Sequence, residues 1–279
     1  MVKITEEEND LFCRYIQALS GIHLDRSKAY LLETRLASML EEEGCTSFTQ
    51  LYEKAKHLLG ETLRQKIIDR ISTNETLFFR DGRPFELLQH KIIPDLIDAR
   101  RAASSGFFPT PIRIWSAACS TGQEIYSIAM VLKELLGDLK KYRIRLLGTD
   151  LSNAAVAGAS RGEYNQFEIK RGLPEDKLKK YFTFNGSAWK INDEIRAMVT
   201  FKKVNLMAPL DGLGRFDIVF CRNVGVYFNM ADRKKLFGNI SRVMEKDGYL
   251  IIGATESLIN VDPRYEPKRY LRSVFYQQK

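Results

Sequence analysis

The stretch RIWSAACSTGQEIYSIAMVLKEL (residues 113–135), followed by RIRLLGTDLS (143–152), restricts the fold more than any other part of the chain. An apolar run leads into a loop of small residues (Ala117, Ala118, Cys119, Ser120, Thr121, Gly122), then a helical pattern, then a second apolar run ending at Asp150. This is the order of a βαβ unit, where small residues let the backbone approach a ligand and an acid beyond the second strand meets a ribose diol. A dinucleotide site would show G-x-G-x-x-G. This loop has only Gly122, and Glu124 stands in the first turn of the helix. A helix N-terminus ordinarily favours anions, whereas an acid placed there repels a pyrophosphate and suits a cationic amino group. The pair Glu124 and Asp150 therefore fits S-adenosylmethionine, with its ammonium and sulfonium, better than NAD.

The rest of the chain supplies a frame for that unit. Residues 1–75 read as a small all-α domain. Thr5 with Glu8 forms a capping box ahead of an apolar stripe (Leu11, Phe12, Tyr15, Ile16, Leu19) that ends at Gly21. Asp25 caps a second helix closed by Gly44, Ser47 with Gln50 repeats the capping pattern, and Glu61 to Ile71 makes a fourth helix. A linker over 76–111 carries a helix near Phe85 to Arg101 and a loop, ASSGFFPTP. From 112 onward, strands at 113–118, 143–149, 199–205, 216–221 and 248–254 alternate with helices at 123–136, 153–160 and 230–244, and two extended stretches close the chain near 265–277. Alternation of this kind predicts an α/β, Rossmann-like domain with a mostly parallel sheet whose ligand sits over the carboxyl ends of its strands. Asn185-Gly186 between alternating residues predicts a hairpin, a small antiparallel insert at about 180–200.

Composition narrows the class. With 44% hydrophobic and 28% charged residues among 279, the chain reads as globular, and no apolar run reaches membrane-spanning length. The acidic start MVKITEEEND does not resemble a signal peptide. Cys13, Cys45, Cys119 and Cys221 lack paired spacing, as do His23, His57 and His90, so free thiols in a reducing cytoplasm and no metal site are expected. The net charge of +8 is uneven: residues 1–83 hold 12 basic against 14 acidic side chains, so the excess lies with the α/β domain. Aromatics are not interleaved with the basic runs as on a base-stacking platform, which argues against nucleic acid and leaves an acidic protein partner.

STNETLFFRD (72–81), AACSTGQEIYSIA (117–129) and FCRNVGVYF (220–228), supported by RGEYN (161–165), KKYF (179–182) and VNL (204–206), resemble the chemotaxis-receptor methyltransferases of the CheR type over essentially the whole chain. The resemblance implies transfer of a methyl group from S-adenosylmethionine to glutamate side chains on cytoplasmic receptor helices, giving glutamyl methyl esters and S-adenosylhomocysteine. It also implies that Asn74, Thr76 and Arg80 cover the methionyl part of the cofactor and that Glu124 and Asp150 hold its ammonium and ribose. Asn205 and Leu206 would meet the adenine, and Arg222 and Asn223 would lie above the cofactor. Arg80 and Tyr227 are the residues expected to align the acceptor carboxylate, while Cys221 reads as an ordinary buried strand cysteine.

Two departures from the family pattern stand out: Gln123 where relatives often carry Glu, and Gly225 where they often carry a bulky aliphatic. The hairpin turn is also short for holding a receptor tether peptide. Arg26, Lys28 and Arg35, near or on the second helix, offer a basic stripe for an acidic receptor helix, and a monomer is expected. Two other readings are a non-catalytic S-adenosylmethionine or S-adenosylhomocysteine sensor and an RNA methyltransferase. The latter lacks an N/D-P-P-Y/F motif, having RNVGVYF after its fourth strand.

Overall fold

The computed structural model describes residues 2–103 and 109–279. Residues 104–108, most of the expected ASSGFFPTP loop, lie outside that set. Helix α1 (Glu6–Ser20) starts at the capping box, with Thr5 Oγ1 accepting from Glu8 N at 3.2 Å and Glu8 Oε2 accepting from Thr5 N at 3.1 Å. The other oxygen of Glu8 accepts from Thr49 N on helix α3 (Phe48–Lys56), so a helix cap also ties two helices together. Asp25 caps a 3₁₀ turn, Arg26–Lys28, that leads into α2 (Ala29–Glu42). Ser47 caps α3, but Gln50 reaches back to Thr46 N and leaves the expected box incomplete. Helix α4 (Glu61–Ile71) completes the set. Phe12, Ile16, Leu32, Leu36, Phe48, Leu51 and Ile67 from these helices form one fully buried core, each large side chain contributing about 1.5–3 kcal/mol.

The linker helix begins slightly earlier than expected. It runs as α5 (Arg83–Leu87), a π turn (Leu88–Ile92) and α6 (Ile93–Ala103). Strands β1 (Thr110–Ala117), β2 (Tyr142–Asp150), β6 (Val199–Lys203), β7 (Phe216–Cys221) and β8 (Met244–Ile252) are joined by β9 (Tyr265–Tyr270) and β10 (Ser273–Gln278) in a seven-stranded sheet of order β6-β2-β1-β7-β8-β10-β9. All neighbours from β6 to β8 pair in parallel, while β10 runs antiparallel to both β8 and β9. Because successive residues of a strand face opposite ways, Ile114, Ile218 and Ile251 enter one core while Trp115, Val219 and Leu250 enter the other. Helices α7 (Gln123–Leu136) and α8 (Asn153–Arg161), with α12 (Met230–Val243), cover these faces. The connections leave β1 toward β2 on one side and return to β7 on the other, and such a switch point opens a crevice at the carboxyl ends.

The hairpin does not enter that sheet. Strands β4 (Phe182–Phe184) and β5 (Trp189–Ile191) pair with β3 (Glu163–Tyr164) in a separate sheet of order β3-β5-β4, so the insert begins well before residue 180. Short helices α9 (Gln166–Lys170), α10 (Glu175–Tyr181) and α11 (Asp193–Arg196) complete it. Phe78 of the linker packs edge-on against Tyr164 at 4.9 Å and Phe182 at 5.5 Å, anchoring the linker in the insert. At the opposite, amino end of the sheet, fully buried Asp217 on β7 accepts from Arg100 Nη2 at 2.7 Å and Arg113 Nε at 2.9 Å, and Arg100 also pairs with Asp247.

Candidate active site

A cavity of about 390 Å³ lies over the carboxyl ends of β1, β2 and β7, with walls from the helical domain and the linker as well as the sheet. Asp150 forms part of its floor. Its two oxygens accept from Ser120 N and Ser152 N, each at 2.9 Å, and the residue is 8% exposed. Burial raises this carboxyl above the usual range, while the N–H groups of Ser152, Ser120 and Leu151 pull it back. The amide that a phosphate would use at this loop is therefore already bound by an acid, and remaining lone pairs of Asp150 can accept from a diol. To make this contact the loop takes left-handed backbone at Ala118 (φ 59°) and Ser120 (φ 52°).

A chain of charges lies beside that floor. Glu124 Oε1 accepts from Ser116 Oγ at 2.7 Å, and Oε2 pairs with Arg222 Nη1 at 3.0 Å. Arg222 Nη2 donates to Asp81 Oδ2 at 2.5 Å and to the Arg80 carbonyl at 2.9 Å, with its side chain only 2% exposed. Two carboxylates around one guanidinium leave a net negative charge. The methionyl part of S-adenosylmethionine carries an ammonium, a sulfonium and a carboxylate, a net positive charge, so the residues present fit that group. Glu124 and Asp150 would hold its ammonium and its ribose.

The linker closes one wall. Ser120 Oγ donates to the Asn74 carbonyl at 2.9 Å, and Phe79 N donates to Ser127 Oγ at 3.0 Å. Positive φ at Phe79 (49°), Asp81 (66°) and Gly82 (58°) turns the chain sharply around Arg80, a conformation that costs about 1–3 kcal/mol per non-glycine residue and persists only where its surroundings fix it. Arg80 Nη1 bonds the Glu75 carbonyl at 3.3 Å. Tyr227, 40% exposed, lines the same cavity from a 3₁₀ turn over Gly225–Tyr227. Its carbonyl accepts from His23 N of the helical domain at 2.8 Å.

Asn74, Thr76, Arg80, Glu124, Asp150, Asn205, Leu206, Arg222, Asn223 and Tyr227 all line this one cavity. Some of their side chains are already engaged. Asn205 lies beyond the end of β6, donates Nδ2 to the Leu19 carbonyl at 2.8 Å and accepts from Met207 N at 2.9 Å, so its amide fastens the helical domain and closes a turn. Arg222 is turned toward Glu124 and Asp81. The basic stripe is divided. Arg26 leaves the cavity and pairs with Asp10 at 2.8 Å. Lys28 sits in the 3₁₀ turn before α2, exposed at the rim, whereas Arg35 donates to the Ile71 carbonyl and to Thr73 Oγ1 and so braces the start of the linker. Asp81, Ser116, His23 and Glu256 were not singled out by the sequence. Asp81 ends the FFRD motif, but its partner Arg222 lies 141 residues away, and no local pattern marks that pairing. The thiols of Cys119 and Cys221 are pushed well above their usual range by burial, which leaves them unreactive.

Strand order, the switch-point cavity and its acidic floor together define a Rossmann-like domain of the S-adenosylmethionine-dependent methyltransferase class. Family models agree on both parts of the chain: the CheR methyltransferase all-alpha domain matches residues 7–72, and the CheR methyltransferase SAM binding domain matches residues 74–271. The chain belongs to the CheR methyltransferase family. It is 36% identical over 275 residues to chemotaxis protein methyltransferase 1 of Pseudomonas aeruginosa, covering 97% of each chain. Identity is also 36% with chemotaxis protein methyltransferase Cher2 of Pseudomonas putida, over 95% of each chain. With chemotaxis protein methyltransferase 1 of Vibrio cholerae it is 33%, over 100% of this chain and 99% of that one. The protein is thus an S-adenosylmethionine-dependent methyltransferase of chemotaxis. Among the described residues no helix is long and apolar enough to cross a membrane.

Proposed function

We propose that the protein, acting as a monomer, methylates glutamate side chains on the cytoplasmic helices of chemoreceptors, with Arg80 and Tyr227 aligning the acceptor. The observation that carries this reading is the placement of Arg80 and Tyr227 on the same cavity as Glu124 and Asp150, with Tyr227 and Lys28 at its rim. S-adenosylmethionine supplies, when bound, a methyl group on positive sulfur that is open to in-line displacement. A glutamate is ionised near neutral pH and needs no general base, so alignment is what the protein must contribute. Arg80, whose guanidinium among the described residues bonds the Glu75 backbone carbonyl, can pair with the incoming carboxylate. The Tyr227 hydroxyl can bond one carboxylate oxygen and aim the other. Lys28 at the rim suits the acidic face of a receptor helix.

The test is transfer of labelled methyl from S-adenosylmethionine to a receptor cytoplasmic fragment, followed by mild alkali. Label released as methanol is expected, since glutamyl esters hydrolyse under these conditions. Alkali-stable label would mean a different acceptor and overturn the reading.

A further inference from the structure

The segment carrying Asn223 and Tyr227 is held from beneath by Glu256, a residue in the turn just after β8. Its Oε2 accepts from Asn223 N and from Gly253 N, both at 2.7 Å. These two amides lie just beyond the carboxyl ends of the parallel neighbours β7 and β8, where the ladder has stopped and each N–H needs another acceptor. One carboxylate oxygen serves both. With that bond in place Asn223 adopts φ 58°, the turn that lifts Val224 to Tyr227 over the cavity.

The second oxygen of Glu256 has a different environment. Among the described residues Oε1 is buried without a hydrogen-bond partner and faces Gly225: a Cβ built on that glycine would lie 3.0 Å from it. Arg233 Nε, also buried and unpartnered, would lie 3.6 Å from the same Cβ. The absence of a side chain at 225 thus gives room to the carboxylate that fixes the backbone two residues before and, through the 3₁₀ turn, two residues after. Gly225 and Glu256 work as a matched pair. A methyl group at 225 would push the carboxylate by a few tenths of an ångström, which is enough to disturb a 2.7 Å bond to Asn223 N.

We infer that Glu256 is a positioning residue for methyl transfer, setting through the Asn223 amide and the space over Gly225 the height of Tyr227 above the cavity. The inference deepens the proposed function and rests on it for the consequence in rate, though not for the geometry. Two measurements separate these. In protein labelled with 3-fluorotyrosine, the ¹⁹F resonance absent from Tyr227→Phe identifies residue 227. That resonance should shift in Glu256→Ala and Gly225→Ala and stay near its wild-type position in Glu256→Gln, which keeps an acceptor oxygen. With receptor fragment as substrate, Glu256→Ala should lower kcat about tenfold or more with cofactor affinity within about threefold, and Glu256→Gln should recover most of that rate. Gly225→Ala should add less than about twofold to the loss in Glu256→Ala, as expected of residues acting through one contact. An unmoved resonance in Glu256→Ala, or additive losses in the double variant, would overturn the inference. A moved resonance together with a wild-type rate in Tyr227→Phe would instead remove the aligning role of Tyr227 and leave the positioning by Glu256 standing.

Discussion

Asp150 is a side chain that holds the fold together and is proposed to hold the cofactor as well. It completes the hydrogen bonding of two loops and, in the proposed site, also faces the ribose. Replacing it by Ala should weaken S-adenosylmethionine binding by about 1.5–3 kcal/mol, the usual worth of hydrogen bonds to a charged group. Calorimetry reads this directly, and unchanged affinity would place the ribose elsewhere. Tyr227→Phe should behave in the opposite way, with cofactor affinity kept and kcat lowered, because the hydroxyl is proposed to meet the acceptor only. A wild-type rate with receptor fragment would count against it. The position of Asp150 was legible because the βαβ order puts an acid at the end of the second strand and Asp150 ends an apolar run. The seam contact of Asn205 was not legible: its side chain reaches Leu19, 186 residues away, and no local pattern reports such a contact.

At the level of elements, caps and long apolar stripes were readable, and short pieces were not. Helix α7 begins and ends where its pattern begins and ends, whereas α9, α10, α11 and β3 have at most seven residues, too few for a period to show. The seam between the helical domain and the sheet was also invisible, being built from α1 Gln17 on Asp232, His23 N on the Tyr227 carbonyl and Asn205 on Leu19. Gly21 is a close-packed point of this seam. It has φ 77°, and an added Cβ would lie 2.5 Å from Phe228 Cε1 and 2.6 Å from Met207 Cγ. Gly21→Ala should therefore cost more than the roughly 1 kcal/mol of left-handed strain alone, and it should raise the KM for receptor by moving the neighbouring Tyr227 segment. A full-strength melting temperature would show that the seam yields easily. The basic residues now separate as well. Lys28→Glu should raise receptor KM, most at low salt, and spare cofactor binding. Arg35→Glu should weaken both, since Arg35 braces the linker beside Asn74; equal effects of the two reversals on calorimetry would refute that division.

Across the whole molecule, stability and chemistry sit at opposite ends of the sheet. The amino end is clamped by Asp217 between Arg100 and Arg113; Asp217→Ala removes that buried acceptor while Arg100 keeps Asp247 and Arg113 keeps Glu245, so it should cost about 1.5–3 kcal/mol in denaturant unfolding, the usual worth of hydrogen bonds between charged groups. Nearby, the Arg100 guanidinium holds the Asp247 carboxyl below its usual range. A depressed folded-state value means that this contribution is present above the unfolded pKa of about 3.9 and fades as pH falls through the lower folded value. Melting temperature should thus drop in that acid window, and Asp247→Asn should flatten the drop; an unchanged profile would show the pair to be unimportant. The carboxyl end is built otherwise. Ala118 and Ser120 line the cavity with left-handed backbone, and glycine at either would relieve about 1–2 kcal/mol of steric cost against roughly 0.5–1 kcal/mol of added chain entropy. A screen for heat-tolerant variants should therefore enrich glycine at 118. Glycine keeps these dihedral angles and with them the Ser120 amide on Asp150, whereas glycine at 120 also deletes the hydroxyl that holds the Asn74 carbonyl, so that variant should trade hardiness for slower turnover.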